Sequence, residues 1–305
     1  MFTFTVHRSE LPGRGLSLGY WREGTGGCPL LLVHGYPETK RIWGRCVEPL
    51  VAAGFEVIVP DLRGYGDSDP APDGFYDPPA YARDLRALVH DVLGHPRIGV
   101  AGGDVGGAVA ADLAARFPDL VDRQAVWNTV APNLGGRYVE AGIPSERPGW
   151  PIADYFERQG RDGDGLAEEL ATPALRRSYV AGMYTHRLWA HPGRFTPEEV
   201  DWHTEPFGDA DRLRQAYAVY EVAYGRRPLS EPSAATGPIP TETLILFGES
   251  DHVVTRAFVQ RCELAYPNHH GPFLVPEAGH FLQWERADVC CSALVLLFRD
   301  RLTGP

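Results

Sequence analysis

Long apolar runs are missing from this 305-residue sequence, and so is an excess of positive charge. No run approaches the ~18 apolar residues that a membrane-spanning helix needs, so we expect no membrane association. Lysine and arginine number 29 against 40 aspartates and glutamates, which gives a formal net charge of -11. Proteins that bind nucleic acids normally carry a basic patch, so this charge balance disfavours a nucleic-acid partner.

Signals of export and of disulfide bonding are also scarce. The N-terminus, MFTFTVHRSE, shows neither the basic region nor the apolar region of a signal peptide. The five cysteines are odd in number and include no CxxC spacing. We therefore expect free thiols and a cytoplasmic protein. Glycine and proline, by contrast, make up about a fifth of the chain, which predicts many turns between short elements.

Short apolar runs bounded by glycine and proline predict strands that are buried on both faces. These runs lie at residues 30–33, 55–60, 97–101, 123–127 and 243–247. Other segments predict helices over 80–93, over 107–117 and near 281–302, and an antiparallel strand pair at 2–6 and 16–21. Strands that alternate with helices predict an α/β fold, with a mostly parallel central sheet flanked by helices.

The alternation is interrupted over residues 131–237, where short helical patterns and many aromatic residues occur without a convincing strand. The simplest arrangement is a helical insertion on an α/β core. We therefore expect a core formed by residues 1–130 and 238–305, with a helical cap, or lid, over 131–237.

The segment Gly102-Gly-Asp-Val-Gly106 follows a predicted strand and opens a predicted helix, in the G-x-nucleophile-x-G pattern of a nucleophile elbow. Side chains at 102 and 106 would collide with the neighbouring strand and helix in so sharp a turn. The turn would lift Asp104 to the carboxyl edge of the sheet, where open α/β sheets bind ligands. The N–H of Val105 would lie at a helix N-terminus and could stabilise an oxyanion. A plain turn with a capping aspartate is the alternative.

Three further segments follow predicted strands or precede the last helix. The turn His34-Gly-Tyr-Pro37 could offer the N–H of Tyr36 as a second oxyanion donor. Asp251, preferred over the nearby Glu249, is placed to be a catalytic acid, and His280 a base. The chain order of nucleophile, acid and base is that of α/β-hydrolase triads.

Together these motifs, with Asp61-Leu-Arg-Gly-Tyr-Gly-Asp-Ser-Asp69 and Gly279-His-Phe-Leu-Gln283, resemble one branch of the α/β-hydrolases. That branch holds epoxide hydrolases and haloalkane or haloacid dehalogenases. The resemblance implies an α/β-hydrolase fold with an inserted helical cap and a reaction that needs no cofactor and no metal. It also implies that the loop from Asp61 to Asp69 is structural, with Arg63 as its internal partner.

An aspartate in place of serine changes the chemistry that the triad can perform. A carboxylate is ionised at neutral pH and can attack saturated carbon, forming an alkyl–enzyme ester. His280, oriented by Asp251, would then activate a water molecule that hydrolyses this ester. Asp104 therefore argues against a serine esterase, lipase or peptidase.

Departures from the family patterns discriminate between the remaining reactions. The dehalogenases that resemble this chain carry tryptophan or arginine directly after the nucleophile, whereas Val105 offers no polar side chain. Epoxide hydrolases need only the backbone N–H there. We therefore expect hydrolysis of a neutral, apolar epoxide to a vicinal diol. The first alternative is a haloalkane or haloacid dehalogenase that uses the same nucleophile. The second alternative is a non-catalytic ligand-binding protein of the same fold.

The resemblance also implies phenols from the cap that protonate the leaving oxygen. The segment that ends at Glu221 resembles the family segment with such a tyrosine and favours Tyr220 over Tyr217. The other family tyrosine aligns near Ile152, so Trp150 or Tyr155 would substitute. We expect Trp150, Tyr155 and His34 to contact a small-molecule substrate; a homodimer is left open.

Overall fold

Eight strands form a single sheet in the structure, a computed structural model that describes residues 2–144, 154–187 and 189–302. The strand order is β1-β2-β4-β3-β5-β6-β7-β8. The strands are β1 (Val6–Glu10), β2 (Ser17–Glu23), β3 (Cys28–Val33), β4 (Phe55–Pro60), β5 (Ile98–Gly103), β6 (Val121–Trp127), β7 (Glu242–Gly248) and β8 (His269–Val275). The pairs β1–β2 and β2–β4 are antiparallel, and the other five neighbouring pairs are parallel. This mostly parallel sheet confirms the predicted α/β class. β4 and β5 are buried at every position, as expected for strands covered on both faces.

Helices cover the sheet and fill the interval between β6 and β7. They are α1 (Gly44–Ala52), α2 (Pro78–Arg86), α3 (Asp104–Arg116), α4 (Arg137–Glu140), α5 (Asp154–Glu169), α6 (Pro173–Tyr184), α7 (Pro197–Thr204), α8 (Ala210–Ala216), α9 (Ala218–Ala223), α10 (Ala257–Ala265), α11 (Leu282–Glu285) and α12 (Ala287–Leu297). Among the described residues, none of them has the length and apolarity to cross a membrane. In the described part of 128–241, the chain forms helices and loops and no strand.

The first strand lies four residues later than the sequence predicts. The expected antiparallel pair exists, with His7 opposite Tyr20, but the prediction of a strand over 2–6 is wrong. Phe2 and Phe4 serve packing instead: Phe2 lies edge-on to Trp284, with 6.1 Å between ring centroids, and Phe4 lies 4.9 Å from Trp21. The aromatic side chains of this segment therefore pack against the core instead of belonging to a strand.

The carboxylate-rich loop after β4 is structural, but its partner is not the predicted one. Arg63 forms a two-point ion pair with Asp84, at 2.5 and 2.7 Å, and a further pair with Asp73 at 2.7 Å, rather than with the aspartates at 61, 67 and 69. The buried ammonium of Lys40 bridges Asp61 and Asp67 instead. A buried charge requires such pairing, and here the partner comes from the segment that follows β3.

Candidate active site

Asp104 occupies the sharp turn between β5 and α3 with a φ of 48°, in the left-handed region that non-glycine residues rarely adopt. A Cβ atom at Gly102 would lie 2.5 Å from the carbonyl oxygen of Gly106, and one at Gly106 would lie 2.4 Å from that of Val33. Both distances are far inside van der Waals contact with backbone atoms that cannot move aside. The predicted need for glycine at both positions is confirmed.

His280 lies between two carboxylates at the carboxyl edge of the sheet. Its Nε2 is 3.2 Å from Oδ2 of Asp104, and its Nδ1 is 3.0 Å from Oδ2 of Asp251. The other oxygen of Asp251 accepts the N–H groups of Val253 and Val254 at 2.6 and 3.1 Å, which fixes the carboxylate. The alternative acid, Glu249, pairs with Arg256 at the surface instead. The structure therefore brings together the three residues predicted as a triad.

The two carboxylates control the charge of His280. Burial alone lowers the pKa of His280, but the charge of Asp251 and the hydrogen bonds and charge of Asp104 raise it, and the net pKa lies well above the usual value. In the resting site the imidazole is therefore protonated and paired with both carboxylates. A change that neutralises Asp104 would remove part of this stabilisation and release the proton.

We expect Asp104→Asn to lower the pKa of His280, because one of its two carboxylate partners becomes neutral. An NMR titration of the His280 ring in the wild-type protein and the variant measures this shift. An unchanged pKa would show that Asp251 alone sets the charge of the imidazole.

A backbone N–H group holds the other oxygen of the Asp104 carboxylate. The N–H of Tyr36 donates to Oδ1 at 2.6 Å, and Val105 is the second residue of α3, so its N–H has no acceptor within the helix. A Cβ atom at Gly35 would lie 2.6 Å from Oδ1, so glycine is required for this approach. Oδ1 thus accepts from one of the two predicted oxyanion donors, Tyr36, while Oδ2 faces His280.

Two buried phenols from the interval between β6 and β7 lie near the site. The rings of Tyr155 on α5 and Tyr220 on α9 lie edge to face, 5.6 Å apart, and Tyr220 also lies 5.2 Å from the ring of Tyr36. Burial, followed by nearby charges that include Asp104, raises the pKa of both phenols well above the usual value. Both therefore keep their protons at neutral pH. Trp150 and Ile152 lie outside the described residues.

The comparison with known families agrees with this geometry. The family model described as the alpha/beta hydrolase fold matches residues 29–287 of the chain. The chain belongs to this family. The resemblance inferred from the motifs is thereby confirmed.

Relatives of this α/β hydrolase include one that is named only for the superfamily and two that are named for a reaction. The AB hydrolase superfamily protein YfhM of Bacillus subtilis (strain 168) is 28% identical, over 84% of this chain and 85% of its own. Epoxide hydrolase 4 of Mus musculus is 24% identical, over 90% of this chain and 74% of its own. The solved structure of the epoxide hydrolase CorEH without ligand superposes with a TM-score of 0.81 at 23% identity, over 97% of this chain and 99% of that one.

Within this α/β hydrolase, His34 supports the oxyanion turn. It is fully buried; its Nε2 accepts the N–H of Leu62 at 3.0 Å and its Nδ1 lies 2.9 Å from the carbonyl oxygen of Gly35. Because Nε2 acts as the acceptor, Nδ1 carries the proton and donates to that carbonyl. Both ring nitrogens are thus used by the backbone, which leaves neither for the substrate contact expected from the sequence.

Glu38, which was not predicted from the sequence, holds the same turn through its side chain. Its carboxylate accepts the N–H of Gly35 at 2.6 Å and the side-chain amide of Gln283 at 2.8 Å, and Gln283 in turn accepts from the indole of Trp127 at 2.9 Å. Burial raises the pKa of Glu38 to about 8. The segment Gly-Tyr-Pro-Glu contains the signal for this contact, because Glu38 lies only three residues after the glycine it binds.

Trp189 is a second residue that the sequence reading missed. Its ring lies 4.6 Å from that of Tyr155 and 5.3 Å from that of His280, and its carbonyl oxygen accepts the N–H of His280 at 2.7 Å. It therefore packs between the cap phenol and the candidate base. No motif marks this position, because the contact joins segments about ninety residues apart.

Proposed function

We propose that this α/β hydrolase opens a neutral epoxide to a vicinal diol through a covalent ester on Asp104. The observation that carries the proposal is an aspartate that is hydrogen-bonded to a His–Asp pair and lies near enough to two buried phenols for its charge to raise the pKa of both. An ester substrate would need no such acid, whereas the oxygen that leaves an epoxide carbon becomes a strongly basic alkoxide. The names of the relatives support the same reaction.

In the first step, Oδ2 of Asp104 attacks one epoxide carbon and the C–O bond to that carbon breaks. The released alkoxide takes a proton from Tyr155 or Tyr220, whose raised pKa values keep that proton available. The products are a hydroxyalkyl ester and a phenolate, which the imidazolium of His280 reprotonates through solvent. Because the ester carries no charge, the pKa of His280 falls as the intermediate forms.

In the second step, the neutral imidazole accepts a proton from a water molecule, and the resulting hydroxide attacks the carbonyl carbon of the ester. Negative charge develops on Oδ1, where the N–H groups of Tyr36 and Val105 stabilise it. When the tetrahedral intermediate collapses, the departing diol oxygen takes the proton from His280. The new carboxyl group of Asp104 then returns its proton to His280, which restores the resting ion pair.

The test uses His280→Gln, which removes the base and should trap the ester. We expect the peptide that contains Asp104 to gain the full mass of an added epoxide, with Asp104→Asn as the control that gains nothing. With haloalkanes, an alkyl adduct together with free halide would support a dehalogenase instead. Absence of any adduct, together with an inactive wild-type protein, would overturn the proposal and favour a ligand-binding protein.

A dehalogenase is the second candidate because of the indole of Trp189. Its Nε1 is buried and has no hydrogen-bond partner among the described residues, and its ring contacts both Tyr155 and His280. An indole N–H this close to the candidate base is a donor suited to a departing halide. The haloalkane arm of the trapping experiment separates this reaction from epoxide opening.

A further inference from the structure

A buried carboxylate outside the triad, Glu285 at the end of α11, accepts three backbone N–H groups. Its Oε2 accepts from Gly279 at 2.8 Å and from His191 at 2.7 Å, and its Oε1 accepts from Phe281 at 2.9 Å. Two of these donors flank His280 in the chain, and the third belongs to the interval between β6 and β7. One side chain therefore joins the loop of the candidate base to the segment that covers it.

Residues 189–191 form the covering segment, the cap strap. The cap strap packs directly against the loop that carries His280. The carbonyl oxygen of Trp189 accepts the N–H of His280 at 2.7 Å, and Nδ1 of His191 lies 2.9 Å from Oγ of Ser250. A Cβ atom at Gly279 would lie 2.4 Å from the carbonyl oxygen of Trp189 and 2.7 Å from the backbone nitrogen of His191. Glycine at 279 thus permits a backbone-to-backbone contact that Glu285 completes.

We propose that Glu285 is a positioning residue that ties the backbone of His280 to the cap strap and so aims the imidazole at the ester on Asp104. The proposal rests on the proposed function, since it assigns Glu285 to the second step of that reaction. All three partners of Glu285 are donors, so only a carboxylate satisfies them together. An amide would turn its own NH2 group toward at least one of these N–H groups.

The two chemical steps should depend on Glu285 unequally. Asp104 is held by the turn between β5 and α3 and by the N–H of Tyr36, and Glu285 has no hydrogen bond to that machinery. His280, in contrast, depends on the loop that Glu285 holds from both sides. A displaced imidazole would activate water poorly while Asp104 still attacked the substrate.

The experiment measures both steps in Glu285→Gln by single-turnover kinetics at pH 8, with an epoxide that forms the ester on the wild-type protein. We expect ester hydrolysis to slow by up to about 100-fold while alkylation keeps the wild-type rate, so the ester accumulates. Glu249→Gln is the matched control, because it makes the same chemical change at an exposed carboxylate paired with Arg256. It should leave both steps unchanged.

Hydrogen exchange tests the proposal without turnover. In Glu285→Gln the backbone N–H groups of His191 and His280 should exchange faster than in the wild-type protein. If that variant does not fold, Glu285→Asp keeps the charge on a shorter side chain and should again slow hydrolysis more than alkylation. Equal losses in both steps, or unchanged hydrolysis and exchange, would overturn the proposal. If the wild-type protein forms no ester with any epoxide, the proposed function fails, and exchange alone decides the role of Glu285.

Discussion

Replacing the two buried phenols at once, Tyr155→Phe with Tyr220→Phe, is expected to slow the alkylation of Asp104 by an epoxide by about 10²–10⁴-fold. Each single substitution should cost much less. The two rings lie 5.6 Å apart, and the charge of Asp104 raises the pKa of both, so we expect the remaining phenol to protonate the same oxygen. The loss is therefore expected to be far greater than the product of the two single effects.

Single-turnover kinetics with an epoxide measures this effect, and a haloalkane provides an internal comparison. A departing halide needs no proton, so the double variant should alkylate Asp104 with any accepted haloalkane as fast as the wild-type protein does. Tyr217→Phe is the control for the loss of a buried cap hydroxyl, because its ring lies close to Tyr179 rather than Asp104. A double variant that opens epoxides as fast as either single variant would exclude the phenols as proton donors.

The site residues differ in how well they could be predicted from the sequence. Asp104 and Asp251 could be predicted because each follows a predicted strand within a few residues, and His280 because its segment precedes the last helix; the strand order of the fold then brings them together. Tyr220 could be favoured as a proton donor because its segment resembles the family segment that carries such a tyrosine. Tyr155 was only one of two candidates to accompany it, because its position depends on how α5 lies against α9.

Contacts between distant segments escaped prediction for the same physical reason. Arg63 stands within the carboxylate-rich loop and is its nearest cation along the chain, yet it pairs with Asp84 of α2. Lys40 neutralises the aspartates of the loop instead, because the turn after β3 packs directly against the end of β4. Glu285 likewise meets the cap strap only through tertiary packing. Local motifs specify the reacting atoms, whereas their supports depend on the assembled fold.

A buried histidine away from the triad, His203 on α7, is expected to lower the free energy of unfolding in mild acid. Its ring lies among the aromatic rings of Trp284, at 4.4 Å, Trp202, at 5.0 Å, and Tyr184, at 5.5 Å. Within the described ranges, neither ring nitrogen has a hydrogen-bond partner. Burial, followed by the charges of Arg41 and Arg45, lowers the pKa of His203 to about 3.

The direction of the pH dependence follows from the two states of His203. In the unfolded chain the imidazole takes up a proton near pH 6.5, whereas in the folded protein it stays neutral down to about pH 3. Between these values the unfolded state binds more protons, so the stability supplied by the neutral ring is complete above pH 6.5 and is lost as the pH falls. The loss is about 1.4 kcal/mol per pH unit, or about 2 kcal/mol at pH 5.

Denaturant unfolding of the wild-type protein and of His203→Phe at pH 8 and pH 5 isolates this contribution. Phenylalanine keeps an aromatic ring in the cage but has no proton to gain, so its free energy of unfolding should fall between the two pH values by about 2 kcal/mol less than that of the wild-type protein. His186→Phe changes an exposed histidine and should keep the wild-type pH dependence. If His203→Phe lost as much stability in acid as the wild-type protein, other titrating groups would have to account for the acid sensitivity.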